Sequence, residues 1–283
     1  MSAAPAAPPS ASASTAPRPV AAAVDVPPWW RLYPSRIVTF WLVELRKIRH
    51  DRTELYMRAV QPVLWLLIFG ETFSRIRAIP TPPGVSYLAY LSPGIMAQSA
   101  LFIAIFFGIQ IIWERDSGIL TKLMATPTPR LALISGKAFA AGVRSVSQVV
   151  VILALSAILQ VRFDWNPLHL LGAALVVVLG AAFFSCLSMT IAGIVLHRER
   201  LMGVGQAITM PLFFASNALY PVAVMPGWLR ALSSVNPMSY EVDALRGMLL
   251  GTPTALLLDI GVLVAAVVAG VGAAASLLPR LAR

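Results

Sequence analysis

The chain has 283 residues, 58% of them hydrophobic and only 12% charged, with a mean hydropathy of +0.78 and a net charge of +10. A soluble domain has about 25% charged residues and could not hide so much apolar surface in one core. Disorder, a fibrous protein and a typical soluble enzyme are thereby excluded. A polytopic membrane protein remains, and its positive balance reads as cationic loops at a membrane surface, not as a nucleic-acid interface.

Residues 1–28 are almost all Ala, Pro, Ser and Val, with no apolar periodicity, and are expected to form a disordered cytoplasmic tail. Its prolines interrupt any signal-peptide core. Residues 29–54 are expected to form an amphipathic helix in the membrane interface. There Ile37, Phe40, Trp41, Leu45 and Ile48 recur at spacings of three and four, with Arg36, Glu44, Lys47 and Asp51 between them.

Residues 55–280 read as an all-α domain of six spans. The first is about Leu55–Phe73, with Arg58 and Glu71 near its ends, where their side chains can reach the headgroups. A loop with Pro80, Pro82, Pro83 and Gly84 leads to the second, about Tyr87–Trp113, which carries no charge. A polar segment at 113–127 follows, with a short helix expected in its middle. The third span, about Leu131–Leu159, holds Lys137 and Arg144; the fourth is about Leu168–Leu196 and the fifth about Val204–Val224. The apolar pieces of 226–251 are too short to cross a bilayer, so one or two short re-entrant helices are expected there. The sixth span, about Thr254–Leu278, has Asp259 in its first half.

An even number of spans puts both termini on one side. If that side is the cytoplasm, five basic residues (Arg75, Arg77, Arg162, Arg230 and Arg246) fall outside and fourteen fall inside, leaving out Arg18 and the two in span three. That bias places both termini in the cytoplasm, for a multi-pass protein of the plasma (cell inner) membrane.

No catalytic constellation is present in the sequence. His50, His169 and His197 lie near span ends with no metal spacing, and lone Cys186 has no thiol partner. Gly136-Lys137 is followed by Ala138, so it is not a phosphate-binding P-loop, and no ATPase activity is expected of this chain. No metal is expected either. Lys137 is about 10 Å into its span by helical rise and can snorkel, whereas Arg144 is roughly 20 Å in. Neither Arg144 nor Asp259 makes an ion site alone. A candidate substrate path comprises Gln98, Phe102, Phe106, Gln110, Arg144, Gln148, Met210, Phe214, Asn217 and Asp259, with Ser99 and Gln206 in the same polar and soft mixture. Ordinary helix packing explains such a mixture equally well.

Several motifs carry a family resemblance. They are Leu91-Ser92-Pro93-Gly94 at span two, Trp113-Glu114-Arg115-Asp116-Ser117-Gly118 and Thr126-Pro127 after it, Gly136-Lys137, and Asn236-Pro237-Met238-Ser239-Tyr240. In these, over about residues 35–280, the sequence resembles the permease subunits of type-2 ABC exporters, the group with the nodulation-factor and daunorubicin-type drug exporters. The resemblance implies an ATP-driven exporter of a bulky amphipathic or lipophilic substrate: a drug, a secondary metabolite or a lipid-linked glycan. It implies two copies of a separate ATPase carrying ATP and Mg, a second copy of this permease, and contact with membrane lipid but not nucleic acid. It also implies a coupling helix seated in the ATPase, built from Glu114, Arg115, Asp116, Ser117, Gly118, Leu120 and Leu123. An ion-coupled secondary transporter and a membrane-embedded enzyme are the alternatives, each weakened by the lack of paired intramembrane polar groups.

Overall fold

Ser86 starts the longest helix. Its backbone is extended and its hydroxyl accepts a hydrogen bond from the Ala89 N–H, satisfying one of the donors that a helix start leaves open. The helix it opens, α4, runs Tyr87–Asp116 and is buried along most of its length. A computed structural model describes residues 29–50, 52–76, 79–126 and 128–281, and among these no strand occurs. The expected disordered tail at 1–28 lies outside the described residues.

The other helices, in chain order, are α1 (Trp29–His50), α2 (Arg52–Leu64), α3 (Glu71–Ile76), α5 (Ile119–Met124), α6 (Arg130–Ile158), α7 (Pro167–Val195), α8 (Arg198–Phe214), α9 (Gly227–Val235), α10 (Pro237–Leu250) and α11 (Leu256–Leu281). The starts of α7 and α10 use one local device. Asn166 and Asn236 accept a hydrogen bond from the N–H two residues on, and a proline fills the first helical position, where a missing N–H costs nothing.

Helix α7 packs against α4, α6, α10 and α11 and is the hub of the bundle. Two apolar clusters hold it there. One surrounds Leu91, Ile95, Phe184, Phe213 and Leu245; the other surrounds Ile112, Leu120, Ile134, Met189 and Leu201. Ser188 of α7 donates to the Ile105 carbonyl of α4 at 2.6 Å, a cross-helix bond at close approach. Around this interior, large apolar side chains face outward: Ile158, Leu168, Leu257 and Val268 are all exposed. Such a surface suits lipid and not water.

Four of the described helices, α4, α6, α7 and α11, are long and apolar enough to cross a membrane. They coincide with the expected second, third, fourth and sixth spans. The expected first span is helical too, but in three consecutive pieces, with a π-helical turn at Trp65–Gly70 between α2 and α3. The expected fifth span is shorter than the sequence indicated. Helix α8 stops at Phe214, short of Val224, after 17 residues. Its last turn contains Pro211, and the chain beyond it is held by other bonds: Tyr220 donates to the Phe214 carbonyl and Asn217 to Asp243.

The entry helix α1 lies along α6. Phe40 meets Gly136, and Trp41 meets Phe139 edge-on at 6.4 Å, while Val38, Leu42, Val43 and Leu45 point away from the protein. Residues 226–251 hold two short helices, α9 and α10.

One buried acid in α10 has no counterpart. Glu241 is fully buried, and neither carboxyl oxygen has a hydrogen-bond partner among the described residues. Gly180 of α7 makes room for it, since a Cβ there would lie 2.1 Å from the Glu241 Oε2. Leaving such a group unbonded costs about 1–3 kcal/mol. Glu241→Met is therefore expected to stabilise the full chain by about that amount, seen as a higher thermal midpoint in detergent. A lower midpoint would show that the carboxyl is held by a partner.

Candidate functional site

The segment after α4 turns on Gly118. Its φ of +72° lies in the left-handed region, which glycine adopts without a Cβ penalty. Nothing lies within 4 Å of where its Cβ would be. The glycine is thus needed for the turn. Helix α5 follows, six residues long. Leu120 is fully buried in the second apolar cluster and Leu123 packs at its edge. Asp116, Ser117, Ile119, Thr121 and Lys122 are exposed.

Glu114 and Arg115 do not join that exposed face. Glu114 accepts a hydrogen bond from Gln110 at 3.1 Å and is ion-paired with Lys137 of α6. The two side chains of this pair are only 15% and 7% exposed, respectively, so Lys137 does not snorkel away. Arg115 donates to the Leu196 carbonyl at 2.9 Å and to Asp116. Arg198, at the start of α8, lies over the Trp113 ring at 4.3 Å. Thus the end of α4 is tied to α6 and to the α7–α8 turn, and α5 projects from that fixed base. The coupling segment expected from the sequence separates into an inward set (Glu114, Arg115, Leu120) and an outward set (Asp116, Ser117 and the exposed α5 residues).

A cavity of about 550 Å³ opens between α2, α4, α6 and α8. Five of the expected path residues line it: Gln98, Phe102, Phe106, Gln148 and Met210. Ser99 and Gln206 join them, as do Met57, Gln61, Pro62 and Ile103, which the sequence did not single out. No described residue of the wall is charged. By helical rise, Gln98 is about 17 Å from the start of α4 and Gln148 about 15 Å from the end of α6, so both stand well inside the bundle.

The remaining expected path residues lie elsewhere. Gln110 is bonded to Glu114, and Arg144 lies over the Phe107 ring at 5.7 Å. Phe214 lines a separate apolar recess with Trp65, Phe69 and Tyr220. Asn217 donates to Asp243 at 2.7 Å, and Asp259 is buried near the start of α11.

In the second half of α10 the sequence missed the main organiser of the segment after α8. The Arg246 guanidinium, 4% exposed, donates to the carbonyls of Tyr90, Asn217 and Ala218 and stacks on the Tyr90 ring at 3.6 Å. By sequence alone it falls among the external loop cations. Its only signal there was a cation flanked by apolar residues.

Known proteins share this arrangement of sequence. The chain is 26% identical over 204 residues to the daunorubicin resistance ABC transporter permease protein DrrB1 of Streptomyces coeruleorubidus, covering 72% of this chain and 71% of that one. It is 27% identical over 201 residues to nodulation protein J of Rhizobium meliloti, with 68% and 72% covered. It is 28% identical over 188 residues to ycf38 of Porphyra purpurea, named as a transport permease; this covers 66% of the chain and 64% of ycf38, just under two thirds of that relative's length. Residues 36–250, from the entry helix through α10, match the ABC-2 type transporter family. That range takes in the α4–α5 junction, the walls of the cavity and the Arg246 clamp, and with it the chain belongs to the ABC-2 type transporter family.

Proposed function

We propose that the chain is the transmembrane permease subunit of an ATP-driven exporter that moves a bulky amphipathic or lipophilic molecule out of the cytoplasm. The observation that carries this reading is the α4–α5 junction. A six-residue helix is fixed to the bundle by Leu120 and by the tied end of α4, while Ile119 and Lys122 are exposed on its outer side and Asp116, held by Arg115, is exposed beside it. Exposed charges and an isoleucine on a rigid knob suit docking to a soluble partner. The partner is a separate ABC ATPase, present in two copies with its ATP and Mg, beside a second copy of this permease. Family membership supports that arrangement, and the names of DrrB1 and nodulation protein J associate those proteins with drug resistance and nodulation.

In this reading six segments cross the plasma membrane. Residues 52–76 form the first span and α8 the fifth, and both termini are cytoplasmic. Helices α9 and α10 dip into the outer leaflet, and α1 lies in the inner interface, where its outward apolar residues meet lipid.

The test is purification of the tagged full chain from its own cells. A co-purifying ATPase is expected to hydrolyse ATP in the complex, and the permease alone is expected to be inactive. Asp116→Lys with Lys122→Glu should reduce co-purification at least tenfold while leaving the thermal midpoint unchanged. ATP hydrolysis by the permease alone, or export driven by an ion gradient without an ATPase, would overturn the proposal.

A further inference from the structure

The cavity wall combines soft apolar groups with carboxamides that lack partners. Gln98 and Gln148 are 3% and 2% exposed. The Gln98 Nε2 and both the Nε2 and the Oε1 of Gln148 have no hydrogen-bond partner among the described residues. A buried amide left in that state is costly unless something completes it. Phe102, Phe106, Met57 and Met210 supply much of its apolar surface. Aromatic and thioether groups accept flat or flexible apolar bodies.

Among the described residues, no Asp, Glu, Lys, Arg or His lines this space. Arg144, one turn before Gln148 on α6, lies against Phe107. A charged ligand entering such a cavity would give up hydration and find no counter-charge. The unpartnered amide atoms are shut off from the open space, so a small rotation of the two side chains would let an uncharged amide, or a hydroxyl beside a carbonyl, satisfy them, since a carboxamide can donate and accept at once.

We propose that this cavity is a binding site selective for uncharged amphipathic molecules, which it recognises through Gln98 and Gln148 by an amide or hydroxy-carbonyl group next to an aromatic or acyl body. This rests on the exporter reading above and narrows its substrate class: the transported form is neutral where it meets the wall. A substrate bearing an ionisable group would enter in its uncharged state.

The experiment uses the full chain in nanodiscs and three environment-sensitive probes: dansyl-undecanamide, dansyl-undecanoate and dansyl-undecylamine. The carboxamide is expected to bind saturably, at least tenfold more tightly than the carboxylate or the amine. Gln148→Leu should lose tenfold or more of that affinity while raising or preserving the thermal midpoint. Gln148→Glu should turn the preference toward the amine, a change that general misfolding would not produce. Equal binding of the three probes, no saturable binding, or carboxamide affinity unchanged in both Gln98→Leu and Gln148→Leu would overturn the site. The two readings fail separately. Preference for a charged probe in a complex that hydrolyses ATP would sink the neutral selectivity alone. Preserved selectivity in a chain that recruits no ATPase would sink the exporter reading alone.

Discussion

The Glu114→Lys variant is expected to lose about 3–5 kcal/mol of stability, the cost of removing one partner from a buried ion pair. Glu114 lies against Lys137 with little water on either side chain, so the substitution sets two cations together between α4 and α6. The loss should appear as a lower thermal midpoint of the full chain in detergent. Exchanging the pair, as Glu114→Lys with Lys137→Glu, should recover a large part of it, because the attraction is restored with its sign reversed. Replacing both by Met should cost far less than either single change, since well-packed apolar groups often substitute for a buried pair without loss. A Glu114→Lys chain as stable as its parent would show that the pair holds nothing. Loss of ATPase recruitment in this variant should follow the loss of fold, unlike at Asp116 and Lys122, where recruitment should fall alone.

Arg246→Lys is expected to be nearly as damaging, although it keeps the charge. The guanidinium serves three backbone carbonyls from two segments and lies flat on Tyr90. An ammonium cannot match that planar fork or the stacking. Charge-assisted hydrogen bonds are worth about 1.5–3 kcal/mol each, and the loss of at least one is expected, together with the register of residues 216–220 after α8. Hydrogen exchange there should accelerate at least tenfold in the variant while the α4–α5 junction stays protected. Unchanged exchange at 216–220 would mean that the clamp does not hold the segment.

How much was legible in the sequence depended on the range of the interaction. Local chemistry was readable. The Asn-Pro starts at 166 and 236, the turn at Gly118 and four long apolar helices all follow from neighbours in sequence. Gln98, Gln148 and Gln206 were readable as polar interruptions of apolar helices. What was not readable depends on packing between distant segments. Glu114 resembles a surface charge until α6 brings Lys137 beside it, 23 residues on. Met57 and Gln61 carry no mark of a cavity, because the wall they form exists only where α2 meets α4, α6 and α8. The early end of α8 likewise reflects bonds to Asn217 and its neighbours from α10, 26 to 29 residues away, set against an apolar pattern that continues to Val224.

Mechanically, α5 has almost no slack. Leu120 is fully buried in an apolar cluster shared by α4, α6, α7, α8 and α11, and close-packed interiors are stiff and transmit strain. A push on the outer side of this short helix therefore cannot be absorbed by a bending loop. It loads the end of α4 first, and the shared apolar cluster passes the stroke on to the other helices. Trimming Leu120 to a smaller residue would introduce play, so that the first part of each stroke closes an empty space and moves nothing.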